Sequence, residues 1–170
     1  YELSLGLVGA EMCIRDRAWS LSCVGDLERD ASTTARVYNC VRRLGLDDRV
    51  TFRGVVGQSS LAQEYHFSDL FVLASHYEGY GMALTEALAH GVPIIATGAG
   101  ALVNTVPSSA GLLVPPGNVA ALTLALGRFF GEPRHRRKLK AGARGYRLRQ
   151  RSWEIAIHDM ADEVRSWAAT

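Results

Sequence analysis

The stretch "DLFVLASHYEGYGMALTEALAHGVPIIATG", residues 69–98, decides the fold. "DLFVLAS" is a short continuous apolar run, the pattern of a parallel strand covered on both faces. A Gly-aromatic-Gly turn follows, then a brief helix that Gly91 closes before Pro93. "VPIIATG" is a second buried strand. A strand, a helix and a strand within thirty residues indicate an α/β architecture with a parallel sheet.

The same punctuation extends in both directions. Upstream, "WSLSCVGD" reads as a strand ending at a Gly-Asp turn. "ASTTARVYNCVRRLGL" places Val37, Val41 and Leu44 at helical spacing, with Gly45 as the stop. "RVTFRG" is a strand with Val50 and Phe52 toward one face, and "SSLAQEYHFS" a short helix with Ser59 or Ser60 as its N-cap. Downstream, "ALVNTV" is a helical turn, "AGLLVPPG" a strand with a Pro-Pro-Gly stop, and the remainder from Val119 is helical. The fold class expected is α/β, a Rossmann-like parallel sheet with helices on both faces and a helical C-terminal tail. Short connections and the lack of repeats make this one domain.

Residues 1–17, "YELSLGLVGAEMCIRDR", stand apart, with neither strand alternation nor a helical stripe leading into the next element. "LVGAEMCIRDR", residues 7–17, closely resembles "LVGSEMCIRD", a reading frame of a transposase-type sequencing adapter. The expected division is a non-native segment over 1–17 and a truncated domain over 18–170. The alternative is a natural helical extension.

Composition sets the outer bounds. The chain has 170 residues, 48% apolar and 21% charged, in the range of ordinary globular domains. A net charge of +2 gives no electrostatic case for nucleic acid. Cys13, Cys23 and Cys40 match no zinc or C-x-x-C spacing and read as reduced thiols of an intracellular protein. No apolar run reaches the roughly 20 residues of a membrane span. His66, His90, His135 and His158 are scattered and suggest no metal site.

The chemistry concentrates at the turn. Ligands of open parallel sheets bind beyond the carboxyl ends of the strands, where "DLFVLAS" runs directly into Glu78. Gly79 and Gly81 permit positive φ and leave room for a ligand. The helix from Met82 aims its free N–H groups into the same space, a site suited to phosphate oxygens. Glu86 lies one turn inside that helix, and its side chain leans back toward the mouth. Two carboxylates flanking a phosphate site suit neutral hydroxyls on either side of it. The implied ligand is a nucleotide sugar, with ribose at Glu86 and the sugar at Glu78. Standing alone, Glu86 would be only an acid near a helix start, worth roughly 0.3–1 kcal/mol through the dipole. His76 touches sugar or phosphate, or is simply solvated, and Tyr80 reads as a packing aromatic under the loop.

"EGYGMALTEALAHGVPIIAT", with "VTFRG" before it and "GLLVPPGNVAALTLAL" after it, resembles the C-terminal half of a group 1 (family 4) retaining glycosyltransferase of the GT-B fold. The likeness covers residues 18–168 and is strongest over 50–126. It implies Glu78 at the transferred sugar as the catalytic contact and Glu86 at the ribose. It further implies that the backbone at Gly79, Tyr80, Gly81 and Met82 holds the diphosphate, with Gly54 and Val55 near the base. The resemblance implies retention at the anomeric carbon, no cofactor and no metal. It implies a glycan or lipid acceptor held by an N-terminal domain outside this chain, and a cytoplasmic location. Three features depart from the family: the basic G-R-x(4)-K stretch has no counterpart in residues 1–30, Asn104 stands where an acid is common, and the acceptor domain is absent. The isolated chain is therefore expected to turn over little or not at all. A sugar-nucleotide epimerase of related two-domain fold and a non-catalytic nucleotide-binding fragment are the alternatives. The basic run over residues 134–151 is read as a solvated helix face, with peripheral contact to anionic lipid at the cytoplasmic face as the alternative.

Overall fold

The computed structural model describes residues 19–79, 81–98, 100, 105–149 and 153–168. Within them the order is β1 (Leu21–Val24), α1 (Ala31–Arg43), β2 (Val50–Gly54), α2 (Gln58–Phe67), β3 (Phe71–Leu73), α3 (Met82–Ala89), β4 (Ile94–Thr97), β5 (Gly111–Val114), α4 (Val119–Gly131), α5 (Pro133–Arg149) and α6 (Trp153–Ala168). Every pairing is parallel: β1 with β2, and β3 with β4 with β5. The α/β class and the helical tail therefore stand as expected.

Helix ends follow local chemistry. Asp30 caps α1 by accepting from the Thr33 amide at 3.0 Å and from the Ser32 and Thr33 hydroxyls at 2.7 and 2.8 Å. The Thr33 amide bond, followed by those hydroxyl bonds, holds its carboxyl well below the usual range. Asn118 caps α4 in the same way through the Ala121 amide. Gly45 and Gly91, at φ +64° and +75°, carry the chain out of α1 and α3. The start of α2 differs from expectation. Gly57 is the N-cap, no side chain caps it, and Ser59 and Ser60 lie inside the helix. The helical turn expected over "ALVNTV" falls mostly outside the described residues.

Packing centres on β4, whose four residues are all buried. Ile94 and Ala96 face Tyr65 of α2, Leu84 and Leu88 of α3 and Ala143 of α5. Ile95 faces the other way, against Ala125 and Phe129 of α4 and Leu139 of α5. Helices thus cover both faces, and each buried isoleucine contributes about 1.5–3 kcal/mol. α5 supplies residues to both clusters. A Cβ on Gly142 would come within 1.9 Å of the Ser109 carbonyl oxygen, so only glycine lets α5 seat there. Its basic residues Arg134, Arg137, Lys138, Arg144 and Arg147 are exposed.

Two findings depart from the sequence reading. Among the described residues the expected single sheet is present as two pieces, β1–β2 and β3–β4–β5. And β3, read as covered on both faces, is only half-buried along its length. Beside β1–β2, α1 buries no residue, and Leu21 and Val24 of β1 remain 43% and 40% exposed.

Candidate functional site

The loops leaving β3, β4 and β5 meet at the carboxyl ends of their strands. The Thr97 hydroxyl, on the last residue of β4, donates to the Ser75 carbonyl just beyond β3. The Ser75 hydroxyl donates to Glu78 Oε1 at 3.2 Å. From the β4 exit, Gly100 presses so close that a Cβ there would sit 2.6 Å from the Glu78 carbonyl oxygen. From the β5 exit, Gly117 approaches His76, whose Cε1 would lie 3.4 Å from an added Cβ. Glu78 is therefore held, half-buried, where three loops converge.

Gly81 opens α3 from the left-handed region, at φ 74° and ψ 44°. Its carbonyl accepts from the Leu84 and Thr85 amides at 3.0 and 3.1 Å, which starts the helical ladder. The Met82 and Ala83 amides precede that ladder and point out of the helix end. No Cβ stands in the way at Gly79, where the nearby space is open. Such an end carries partial positive charge and unpaired donors, the conditions for binding an anion.

Glu86 is exposed on α3 and accepts the Tyr65 hydroxyl at its Oε2, 3.2 Å away. Tyr65 is buried, stacks on His90 with ring centroids 5.1 Å apart, and packs against Phe71. Burial, followed by the Glu86 charge and hydrogen bond, pushes its phenol up to about 12. The phenol thus stays protonated through neutral pH and fixes the Glu86 rotamer by donation. A carboxylate has about four acceptor positions, so one hydroxyl leaves both Glu78 and Glu86 with capacity for further donors.

Of the residues singled out from sequence, Glu78, Gly79, Gly81, Met82 and Glu86 share this one strand-to-helix corner. Tyr80 and Asn104 lie outside the described residues. Gly54 and Val55 sit elsewhere, at the carboxyl end of β2 on the other sheet piece, where Gly54 adopts φ +65° and its carbonyl accepts from the Gly25 amide. Five participants went unnoticed: Tyr65, Ser75, Thr97, Gly100 and Gly117. Only the glycines carried a sequence signal, as "GAG" and "PPG" after strands. Among the described residues no group of three or more His, Cys, Asp or Glu is placed to hold a metal ion. Cys23 and Cys40 are free thiols, and burial raises the Cys23 pKa. No helix among the described residues is long and apolar enough to cross a membrane.

The family model for group 1 glycosyl transferases matches residues 7–132. The chain belongs to this family. The match begins inside the segment set apart at the N-terminus. Among curated group 1 relatives, the MMP alpha-(1->4)-mannosyltransferase of Mycolicibacterium hassiacum is 31% identical over 86% of this chain and 36% of its own length. A D-inositol 3-phosphate glycosyltransferase of Salinispora tropica is 32% identical over 92% of this chain and 34% of its own. The chain thus spans about a third of the length of these relatives. Among solved structures, the sucrose-phosphate synthase of Thermosynechococcus elongatus superposes with a TM-score of 0.72 at 32% identity, covering 95% of this chain and 41% of that one. An Anabaena protein solved in complex with UDP gives a TM-score of 0.74 at 22% identity, over 87% and 41% of the two chains, a likeness of fold. The Rossmann-like arrangement of a GT-B half is therefore the fold of this glycosyltransferase domain.

Proposed function

We propose that this domain binds the donor of a sugar transfer from a nucleoside diphosphate sugar, with retention of anomeric configuration, as the donor half of a longer family 4 enzyme. The observation that carries it is the corner itself. A helix N-terminus with free amides at Met82 and Ala83 stands between Glu78, tied to Ser75, and Glu86, tied to Tyr65. The diphosphate lies on the amides, Glu86 accepts from ribose hydroxyls, and Glu78 accepts from the transferred sugar. Preorganised amides stabilise the charge that develops on the departing nucleoside diphosphate. The curated relatives are named for mannosyl and other glycosyl transfers, which supports the reaction class. Gly54 and Val55 are assigned to the base by family likeness alone. An acceptor, glycan or lipid, belongs to the part of the enzyme outside this chain, and the donor chemistry proposed here uses no metal.

Calorimetry of the chain with UDP and with GDP tests the reading. Binding of one of them, weakened about tenfold or more in Glu86→Gln, is expected, since a charge-assisted bond to ribose is worth about 1.5–3 kcal/mol. Failure of both nucleotides to bind, or equal affinity in Glu86→Gln, would contradict it. Two further proposals have separate tests. Resequencing the source locus decides whether residues 1–17 are foreign. Sedimentation with anionic liposomes at low salt decides whether the exposed cations of α5 touch a membrane.

A further inference from the structure

Tyr65 places a polar atom inside an otherwise apolar cluster. Its ring belongs to the core formed with Leu84, Leu88 and Ile94. It tilts against Phe71 of β3, with centroids 5.9 Å apart, and stacks on His90 at the end of α3. A phenylalanine would meet every one of those packing demands. The hydroxyl adds a group that costs free energy in an apolar interior unless it is paired. Two acceptors lie within reach, both on α3: the Ala83 carbonyl at 3.4 Å and Glu86 Oε2 at 3.2 Å. In the helical ladder the Ala83 carbonyl already receives the amide four residues on, whereas the carboxylate has open lone pairs. The phenol proton therefore goes to Glu86.

The two ends of this bond differ in how firmly they are held. Tyr65 is locked by rings on two sides and rises from a separate helix, α2. Glu86 is exposed on the surface of α3, where an untethered glutamate samples several rotamers and loses that freedom when a ligand fixes it. A tether from the core removes part of that entropic loss before the ligand arrives. The chemistry of the tether matters too. A lysine or arginine in its place would offset the negative charge that an incoming hydroxyl meets. A neutral phenol sets the direction of one oxygen and leaves the group purely an acceptor.

We propose that Tyr65 is a positioning residue of the nucleotide site: its hydroxyl holds the Glu86 carboxylate in the orientation that accepts from the ribose hydroxyls. This rests on the reading of Glu86 as the ribose acceptor. Discrimination between a ribonucleotide and its counterpart lacking both ribose hydroxyls then depends on a side chain of α2 that does not touch the ligand. A purely structural Tyr65 would behave differently. Its hydroxyl also lies against Ala83, whose amide faces the diphosphate, so loosening that turn would weaken every diphosphate alike.

Calorimetry of the 170-residue chain tests this with UDP, GDP and their dideoxy counterparts, in Tyr65→Phe, Glu86→Gln and the double variant. Tyr65→Phe is expected to weaken the ribonucleotide that binds by about three- to tenfold and to leave its dideoxy counterpart within about twofold. The double variant should bind no more weakly than Glu86→Gln alone. Equal losses for the two ligands, additive losses in the double variant, or an unchanged ribonucleotide affinity in Tyr65→Phe would overturn the inference. Unchanged affinity in Tyr65→Phe beside a clear loss in Glu86→Gln overturns this inference alone. No loss in Glu86→Gln, or no binding by the unsubstituted chain, overturns the ribose reading and this inference with it. A second measurement needs no variant: the Tyr65 ring signals in NMR should move with the ribonucleotide and stay in place with the dideoxy compound. Movement with both, or with neither, would contradict the proposal.

Discussion

The two sides of the molecule are built from the same kind of sequence and end in different states. "WSLSCVGD" and "VPIIATG" are both apolar runs closed by glycine. Yet β4 is buried at every residue, while β1 leaves Leu21 and Val24 more than a third exposed. The difference lies in neighbours. β4 has a strand on each side and α3, α4 and α5 across its faces; β1 has a single paired strand, β2, among the described residues. Apolar patterning shows which strands can be buried, and the number of flanking strands decides whether they are.

This contrast can be broken by matched deletions. Phe129 is fully buried in α4, and Phe129→Ala is expected to cost about 3–5 kcal/mol in chemical denaturation. Phe52→Ala, on half-buried β2, should cost about 1–2 kcal/mol, since less apolar area is lost. Equal losses would mean the two sides are equally consolidated. Overpacking gives the next effect. Gly142→Ala forces a methyl onto the Ser109 carbonyl and should cost about 3 kcal/mol, measured the same way.

Tyr65, the residue of α2 buried in the core, sharpens the comparison through pH. Its folded pKa, about 12, lies above the model-compound value of 10.0. The folded state thus holds the proton more tightly, so this stabilisation is complete below pH 10 and disappears as pH climbs through 12. Tyr65→Phe should lose about 1 kcal/mol at neutral pH and flatten the alkaline decline between those values. A decline of unchanged slope in the variant would remove Tyr65 from that role. The smallest effect separates the two N-caps. Asn118→Ala should lower global stability by about 1 kcal/mol. Asp30→Ala should only hasten exchange of the first amides of α1 and leave the main transition in place.

Much of this architecture was legible from local chemistry. The five strands of the described residues fall on the apolar runs, four of them where the run meets Gly or Pro, and Gly45 and Gly91 end their helices as residues with positive φ should. The Ser59 or Ser60 cap failed because the backbone turns into α2 at Gly57, ahead of either hydroxyl. The half-exposure of β3 could not be read from "DLFVLAS", since among the described residues it pairs with β4 alone, and an apolar run does not tell how many strands flank it. The site divides the same way. Glu78, the glycines and Glu86 are adjacent in sequence, so their corner was visible there. Tyr65 comes from a helix with no apolar stripe and meets Glu86 across 21 positions, a contact that only folding creates.

The central claim is that a nucleoside diphosphate lies across the β3–α3 corner. Titrating the isotope-labelled chain with UDP and GDP while following backbone amide shifts tests it most directly. The expected result is saturable movement of the Gly79, Gly81, Met82, Ala83 and Gly100 amides with one of the two nucleotides, and little change within α4 or the inner face of α5. Shifts confined to other surfaces, or none with either nucleotide, would contradict it.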